Sequence, residues 1–264
     1  MNPCLIKMTA MAGGLIYYVL MERKTAAIII IGNEILTGQT EDQNASFLIG
    51  ELHELGVALR RILTIGDDVE EIAAAVRDFS SRFDFVFTSG GVGPTHDDVT
   101  IEGIARAFDR RIVRHPGLFA VIHDYFGDRA DEARIRMADA PEGSELIYSA
   151  STRWPVLATA NVYVLPGVPE IFRAKFAAIR ERFRAAPFHT ASIFTREEEF
   201  DIASRLNQAA ELNPRVAIGS YPNFDSDDYS VKITVEATEP EAVERARALL
   251  LKLLNPASIV HSRK

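Results

Sequence analysis

One stretch limits what this chain can become: Thr88-Ser89-Gly90-Gly91-Val92-Gly93-Pro94-Thr95-His96-Asp97-Asp98-Val99-Thr100. Before it, Asp84-Phe85-Val86-Phe87 reads as a short buried strand, and after it Ile101, Ile104, Ala105 and Phe108 recur at helical spacing. The order is therefore strand, glycine-rich turn, and a helix that begins near Thr100. Three glycines within four residues leave no Cβ atoms to hold a ligand away from the backbone. The helix start beyond them offers unpaired N–H groups and the positive end of a dipole, which suits phosphate. Asp97, Asp98 and Glu102 bring carboxylates to the same place, and carboxylates beside phosphate imply a bridging divalent ion. The loop reads as a site for a nucleotide or another phosphorylated ligand.

The surrounding pattern supplies a fold for that loop. Residues 26–31 are nearly all aliphatic, as in a strand buried on both faces of a parallel sheet. A loop from Gly32 to Gly38 follows, then a helix capped by Asp42 or Asn44 with Leu48, Leu52 and Leu55 on one face. A strand over 57–65 leads to Gly66-Asp67-Asp68 and a helix that turns Ile72, Val76 and Phe79 inward. Asp68 and Glu71 have capping-box spacing, so Asp68 reads as a cap. Helices follow over 116–126 and 131–138, a strand over 161–165 and a helix over 171–183. Strands alternating with helices predict right-handed crossovers and an α/β three-layer sandwich with a mostly parallel sheet. Ligands in such sheets sit beyond the carboxyl ends of the strands. The loops at Gly32–Gly38, Gly66–Asp68 and Gly90–Thr100 should thus converge on one crevice.

From Pro187 the rhythm changes. A strand over 191–194, a helix over 197–211, strands over 216–221 and 229–237 and a helix over 241–254 predict a small α+β domain, with the acidic run 222–228 as a hairpin turn. The chain divides into an extension (1–24), an α/β domain (25–186) and the small domain (187–264).

With 264 residues, 47% apolar and 25% charged, the chain is ordinary for a globular protein. Its net charge of −8 argues against general affinity for nucleic acid or anionic membrane, and the second domain shows no Gly-x-x-Gly loop. A phosphate pocket in so acidic a chain calls for a metal: magnesium, manganese or cobalt. The single cysteine, Cys4, excludes an intrachain disulfide and points to a reducing compartment. Lys7 and the apolar run 8–21 imitate a leader, but the run is too short to span a bilayer and lacks a small-residue cleavage site. An upstream extension, with Met21 as the true start, and a cytoplasmic protein are expected.

The run Gly90 to Thr100 resembles the signature of the molybdopterin-binding (MoaB/Mog-type) domain family, in the form found in the N-terminal domain of CinA proteins. Ile31-Gly32-Asn33-Glu34-Ile35-Leu36-Thr37-Gly38, Thr64-Ile65-Gly66-Asp67-Asp68 and Leu165-Pro166-Gly167-Val168-Pro169 agree with it in order. Asn161-Val162-Tyr163-Val164-Leu165-Pro166-Gly167 and Gly219-Ser220-Tyr221-Pro222 are similar to the corresponding part of eukaryotic FAD synthases. The resemblance implies a MoaB/Mog-like fold. In FAD synthases this domain is associated with FAD hydrolysis, and in CinA proteins with metal-dependent hydrolysis of ADP-ribose. Mog-type members instead bind molybdopterin and adenylylate it. Neither the deamidase domain of CinA nor the transferase domain of FAD synthase follows in this sequence. Thr159 is the nearest counterpart of a hydroxyl residue that Mog-type proteins carry before the last strand.

The expected reaction is attack of water on a pyrophosphate. Gly90, Gly91 and Gly93 would present N–H groups to phosphate, with Thr95 and Thr100 offering hydroxyls. Asp97 and Asp98 would hold or orient the metal and its water, with Glu34 as a further ligand and Asp67 reaching in from a neighbouring strand end. Gly32, Pro166 and Gly167 would line the ligand site. Thr100 reads equally as a helix cap, His96 occupies a position the family leaves variable, Arg153 and Trp154 read as a surface loop, and Arg180 to Arg184 as a solvated face. The competing readings are a pterin-binding protein of molybdenum-cofactor assembly and a nucleotide- or pterin-binding module without turnover. A small-molecule nucleotide or pterin ligand and a homo-oligomer are expected, with no nucleic-acid or membrane partner.

Overall fold

A computed structural model describes residues 24–224 and 228–263. The leader-like run, Cys4, Met21 and the tip of the acidic turn lie outside the described residues.

Strand β1 (Thr25–Ile31) shows how the first domain is built. Its side chains alternate between two cores: Ala27, Ile29 and Ile31 enter one, and Ala26, Ile28 and Ile30 the other. A strand that feeds a core on each side must lie in the middle layer of three. A short helix α1 (Asn33–Leu36), within what reads as a loop in the sequence, precedes α2 (Asn44–Glu54), β2 (Ala58–Ile65), α3 (Val69–Arg82), β3 (Phe85–Ser89) and α4 (Thr100–Ala107). A two-stranded ribbon of β4 (Ile112–Arg114) and β5 (Asp139–Pro141) encloses α5 (Pro116–Phe126) and α6 (Glu132–Arg136). Strands β6 (Glu145–Ser149), β7 (Thr152–Thr159) and β8 (Val162–Leu165) and helix α7 (Pro169–Ile179) complete the domain.

The sheet runs β2-β1-β3-β8-β7-β6. The first four strands are parallel and the last two antiparallel. Ile72, Val76 and Phe79 of α3, Ile104 of α4 and Ile122 of α5 cover one face, while Leu48 and Leu52 of α2 and Phe172 and Phe176 of α7 cover the other. The three-layer sandwich with a mostly parallel sheet is thus observed. Strands β6 and β7 are an addition that sequence pattern does not disclose. Pro155 sits inside β7 between Thr152, paired with Ser149, and Val156, paired with Ile147, where the register slips. At such a bulge the missing N–H of a proline leaves no ladder position unfilled.

The second domain comprises β9 (His189–Thr195), α8 (Glu199–Leu212), β10 (Ala217–Pro222), β11 (Val231–Ala237), α9 (Pro240–Leu253) and β12 (Ile259–Arg263). Its antiparallel sheet has the order β10-β11-β9-β12, and both helices pack on the face that carries Ile193, Ile233 and Val235. Between the domains, His53 of α2 meets Glu236 of β11 at 2.8 Å, with the Phe188 ring 5.1 Å from the imidazole. Arg180 is not the solvated residue its neighbourhood implies: its guanidinium pairs with Glu51 and Glu54 of α2 at 2.7 and 2.9 Å and so ties α7 to α2. Among the described residues no helix is long and apolar enough to cross a membrane.

Lys175 on α7 is a burden on this packing. Its ammonium donates to the Pro155 carbonyl at 2.8 Å with no carboxylate beside it, and burial pushes its pKa down to about 8. The unfolded chain therefore holds the proton up to the ordinary value of about 10.4, so stability rises with pH between about 8 and that value. Lys175→Met is expected to raise the melting temperature at pH 7 by a few degrees, about 1 kcal/mol, and to lose this pH-dependent rise. Thermal unfolding of both proteins from pH 7 to 10.5 checks it.

Candidate functional site

In a sheet of order β2-β1-β3, the chain leaves β1 toward one side and returns to pair on the other. The crevice at that reversal lies beyond the ends of β1 and β3. Ile31 ends β1, Ser89 ends β3 and Leu165 ends β8, with Ile30 opposite Ser89 and Ser89 opposite Leu165. Here the glycine turn is wedged between its neighbours. Gly90 has φ +102, donates its N–H to the Leu165 carbonyl at 3.2 Å, and would drive a Cβ into the Ile31 carbonyl oxygen. Gly91, at φ +63, would meet the Thr100 hydroxyl in the same way. Gly167 lies against Gly90, where an added Cβ would stand 3.4 Å from its Cα. The loops after β1, β2, β3 and β8 do converge: the Gly32 N–H donates to Ile65 at 3.1 Å, and the Asn33 N–H donates to the Asp67 carboxylate at 2.9 Å.

That convergence separates the acids that read alike in sequence. Asp67 is engaged at the start of α1 through Asn33. Asp68 caps α3 by accepting from the Glu71 N–H at 2.8 Å, as its spacing predicts. Asp98 folds back into the glycine loop, where one oxygen accepts from both the N–H and the hydroxyl of Thr95. Thr100 starts α4; it is fully buried, and its hydroxyl donates to the Gly90 carbonyl at 2.9 Å, so it clamps the turn instead of facing a ligand. Thr95 likewise turns its hydroxyl into the loop, between Asp98 and Asp97.

Asp97 is different. Its side chain is 60% exposed at the loop tip, and the Thr95 hydroxyl and its own backbone N–H hold its pKa below the usual aspartate value. It stays ionised and pointed at solvent just ahead of α4. His96 beside it is almost wholly exposed, 3.9 Å from Asp97. Glu34 is exposed, with its carboxylate folded over Gly32. Pro166 is half-buried between Leu165 and Gly167. Thr159 lies at the far end of the sheet, opposite the start of β8, buried and bonded to Ser144 at 2.8 Å. Trp154, in β7, packs on Tyr125 and Phe126 of α5 at 5.7 and 6.4 Å between ring centres.

Among the described residues no three His, Cys, Asp or Glu side chains stand close enough to hold a metal by themselves, so Asp97, Asp98 and Glu34 do not form a ready cage. The donors that remain, Asp97 and the second oxygen of Asp98, fit a metal held chiefly by a ligand's phosphates, as magnesium commonly is.

Asn44 is the residue that sequence reasoning passes over, reading it as a possible helix cap. Asp42 takes that duty, accepting from the Asn44 and Ala45 N–H groups at 3.0 and 3.2 Å. The Asn44 side chain instead enters the crevice, 3% exposed, and donates to the Ser89 hydroxyl and the Gly167 carbonyl, both at 2.8 Å. Its Oδ1 is buried with no donor. An orphan acceptor of this kind costs about 1–3 kcal/mol. Asn44, Glu34, Ser89 and Gly167 line a cavity of about 50 Å3 to which neither Asp97 nor Asp98 contributes. The signal available in sequence was an asparagine one turn position after a better cap.

Residues 27–185 match the family described as "Probable molybdopterin binding domain", and residues 187–263 match "FAD synthase, middle domain". A "Probable FAD synthase" of Caenorhabditis briggsae is 34% identical over 262 residues, covering 88% of this chain and 50% of that protein. The chain thus spans about half the length of that relative. A protein of Archaeoglobus fulgidus is 38% identical over 228 residues, covering 86% of this chain and 97% of its own. The crystal structure of CinA from Thermoplasma acidophilum, described as of unknown function, superposes with a TM-score of 0.56 at 35% identity, over 61% of this chain and 98% of that one.

The glycine turn yields a stability prediction. Gly90→Ala must relieve both a positive φ and an overlap with the Ile31 carbonyl, and is expected to lose more than about 3 kcal/mol. Gly50→Ala, on α2 with open space around it, is expected to gain about 0.5–1 kcal/mol. Urea unfolding of the two variants checks the contrast.

Proposed function

The chain belongs to the molybdopterin-binding domain family and carries an FAD-synthase-type middle domain behind it, and from that premise we propose that it hydrolyses the pyrophosphate bond of a nucleotide of the FAD or ADP-ribose type. The observation that carries the reading is Asp97: an exposed carboxylate held in its charged form at the tip of a glycine turn, one helix start away from the β1–β3 crevice.

The N–H groups of Gly91 and Gly93 and the first turn of α4 offer donors and a positive dipole end to two linked phosphates. A carboxylate with a depressed pKa is a poor base but a good orienting acceptor. Asp97 is therefore assigned to hold a water in line with one phosphorus. That water forms the new P–O bond as the bridging P–O bond breaks; two monoesters leave, and the proton passes to solvent. Asp98 keeps the loop in shape through Thr95, which leaves one of its oxygens without a bond to the loop. A divalent cation shared by the phosphates, Asp97 and Asp98 would supply charge neutralisation there. The −8 net charge of the chain favours such neutralisation for a dianionic ligand. Pterin binding is the second reading, favoured by the description of the matching family.

Mass-spectrometric detection of products from FAD, ADP-ribose, NAD and coenzyme A, with magnesium, manganese or cobalt and with EDTA as control, tests the proposal. AMP released from one of them and lost with EDTA is expected. No cleavage under any metal, with tight pterin binding instead, overturns it. Asp97→Ala is expected to lower kcat by about 10²–10³ with little change in melting temperature, because the side chain is exposed and its bonds stay within its own loop. Asp98→Ala is expected to lower both. The wild-type rate should hold its plateau as pH falls to the ordinary carboxylate range, since the Asp97 pKa lies below it.

A further inference from the structure

We infer that the outer edge of β2, which opens into a groove between the two domains, takes an extended acidic segment of a partner protein as an added strand. The inference is independent of the pyrophosphatase reading, since the groove contains none of the residues assigned to that chemistry.

Strand β2 ends the six-stranded sheet, and among the described residues no strand pairs with its outer side. An edge of this kind presents a row of backbone N–H and C=O groups that another chain can pair with. Here the edge is one wall of a groove of about 600 Å3. Residues 57–62 line it in an unbroken run, with Ile49 and His53 of α2 on one side and Phe188 and Glu236 of the second domain on the other. A wall made of consecutive residues follows the strand, and that shape suits an extended chain better than a compact ligand.

The side chains of the groove select the occupant. Ala26 pairs with Leu59 and Ala27 with Arg61, so Arg60 is the extra residue of a bulge and two arginines stand together on the edge. Both are exposed, and among the described residues neither guanidinium has a hydrogen-bond or ion-pair partner. The carboxylates nearby are engaged: Glu236 with His53, and Glu51 and Glu54 of α2 with Arg180. The groove is thus locally positive in a chain whose net charge is −8. Ile49 and Ile62 add an apolar wall, 46% and 48% exposed. A bulge and repeated like charge are devices by which an edge avoids its own kind. Antiparallel pairing of β2 with a second copy would gather four guanidiniums near its middle, so this edge repels another copy of the chain. An acidic strand turns the same two residues into attraction. The main-chain ladder then supplies affinity, while Arg60, Arg61 and the two isoleucines supply selectivity.

Calorimetric titration of the full chain with short synthetic peptides of alternating Val and Glu, and of alternating Val and Lys, tests the inference. Wild-type protein is expected to bind the glutamate peptide more tightly than the lysine peptide by about fivefold or more. The double variant Arg60→Glu/Arg61→Glu, changed only at exposed positions, is expected to keep its melting temperature and to reverse that preference. Strand addition has its own signature, because alternate N–H groups of an added strand face the edge. N-methylation of one alternate set of residues in the glutamate peptide is expected to abolish binding, and methylation of the other set to spare it. Equal affinity for the two peptides, binding of neither, or a preference unchanged in the double variant overturns the proposal. Equal tolerance of both methylated sets overturns strand addition. A wild-type dimer in sedimentation that the double variant breaks gives the edge to a second copy and overturns the acidic partner. None of these outcomes bears on hydrolysis at the glycine turn.

Discussion

Everything in the first domain hangs on how near two backbones come at one point. The Ile31 carbonyl and Gly90 touch where the chain reverses its direction across the sheet, and no residue with a Cβ fits between them. Because they touch, the end of β1 and the turn after β3 form a single surface, and Gly167 closes it from the third side. The helix start at Thr100 is then fixed against the turn by a buried hydroxyl bond. Loop geometry, helix dipole and crevice are consequences of that one contact.

The acids around the crevice fall into two kinds that their chemistry alone does not separate. Asp42, Asp67, Asp68 and Asp98 are engaged with backbone N–H groups, each at a helix start or within the glycine loop. They hold the frame. Asp97 and Glu34 hold no helix start and remain exposed. An acidic chain with many carboxylates near a phosphate turn would repel its ligand if all were free. Tying four of them to backbone N–H groups disperses their charge over those dipoles.

The three layers, the parallel strands and the glycine turn were legible in the sequence because they depend on local patterns: a strand apolar at every position, helical spacing of Leu48 and Leu52, glycines followed by a helix start. Asp68 was legible as a cap for the same reason. What was hidden depends on tertiary partners. The assignment of Asp67 to Asn33, of Asp98 to Thr95 and of Thr100 to Gly90 requires loops far apart in the chain to be placed first. Asn44 was hidden because Asp42, two residues earlier, won the cap. Strand β7 was hidden because Pro155 argues against a central strand unless a bulge accommodates it, and Arg180 because its glutamates lie on another helix.

Helix α2 has its first residue in the crevice and its last turn at the seam with the second domain. Asn44 grips Ser89 and Gly167 at one end; His53, some nine residues on and roughly 14 Å along the axis, faces Glu236 at the other. A single helix thus reaches from the crevice to the seam, braced near its second end to α7 through Glu51 and Arg180. The crevice and the seam between the domains are therefore built on the two ends of one helix, whose middle is fixed in the core by Leu48 and Leu52.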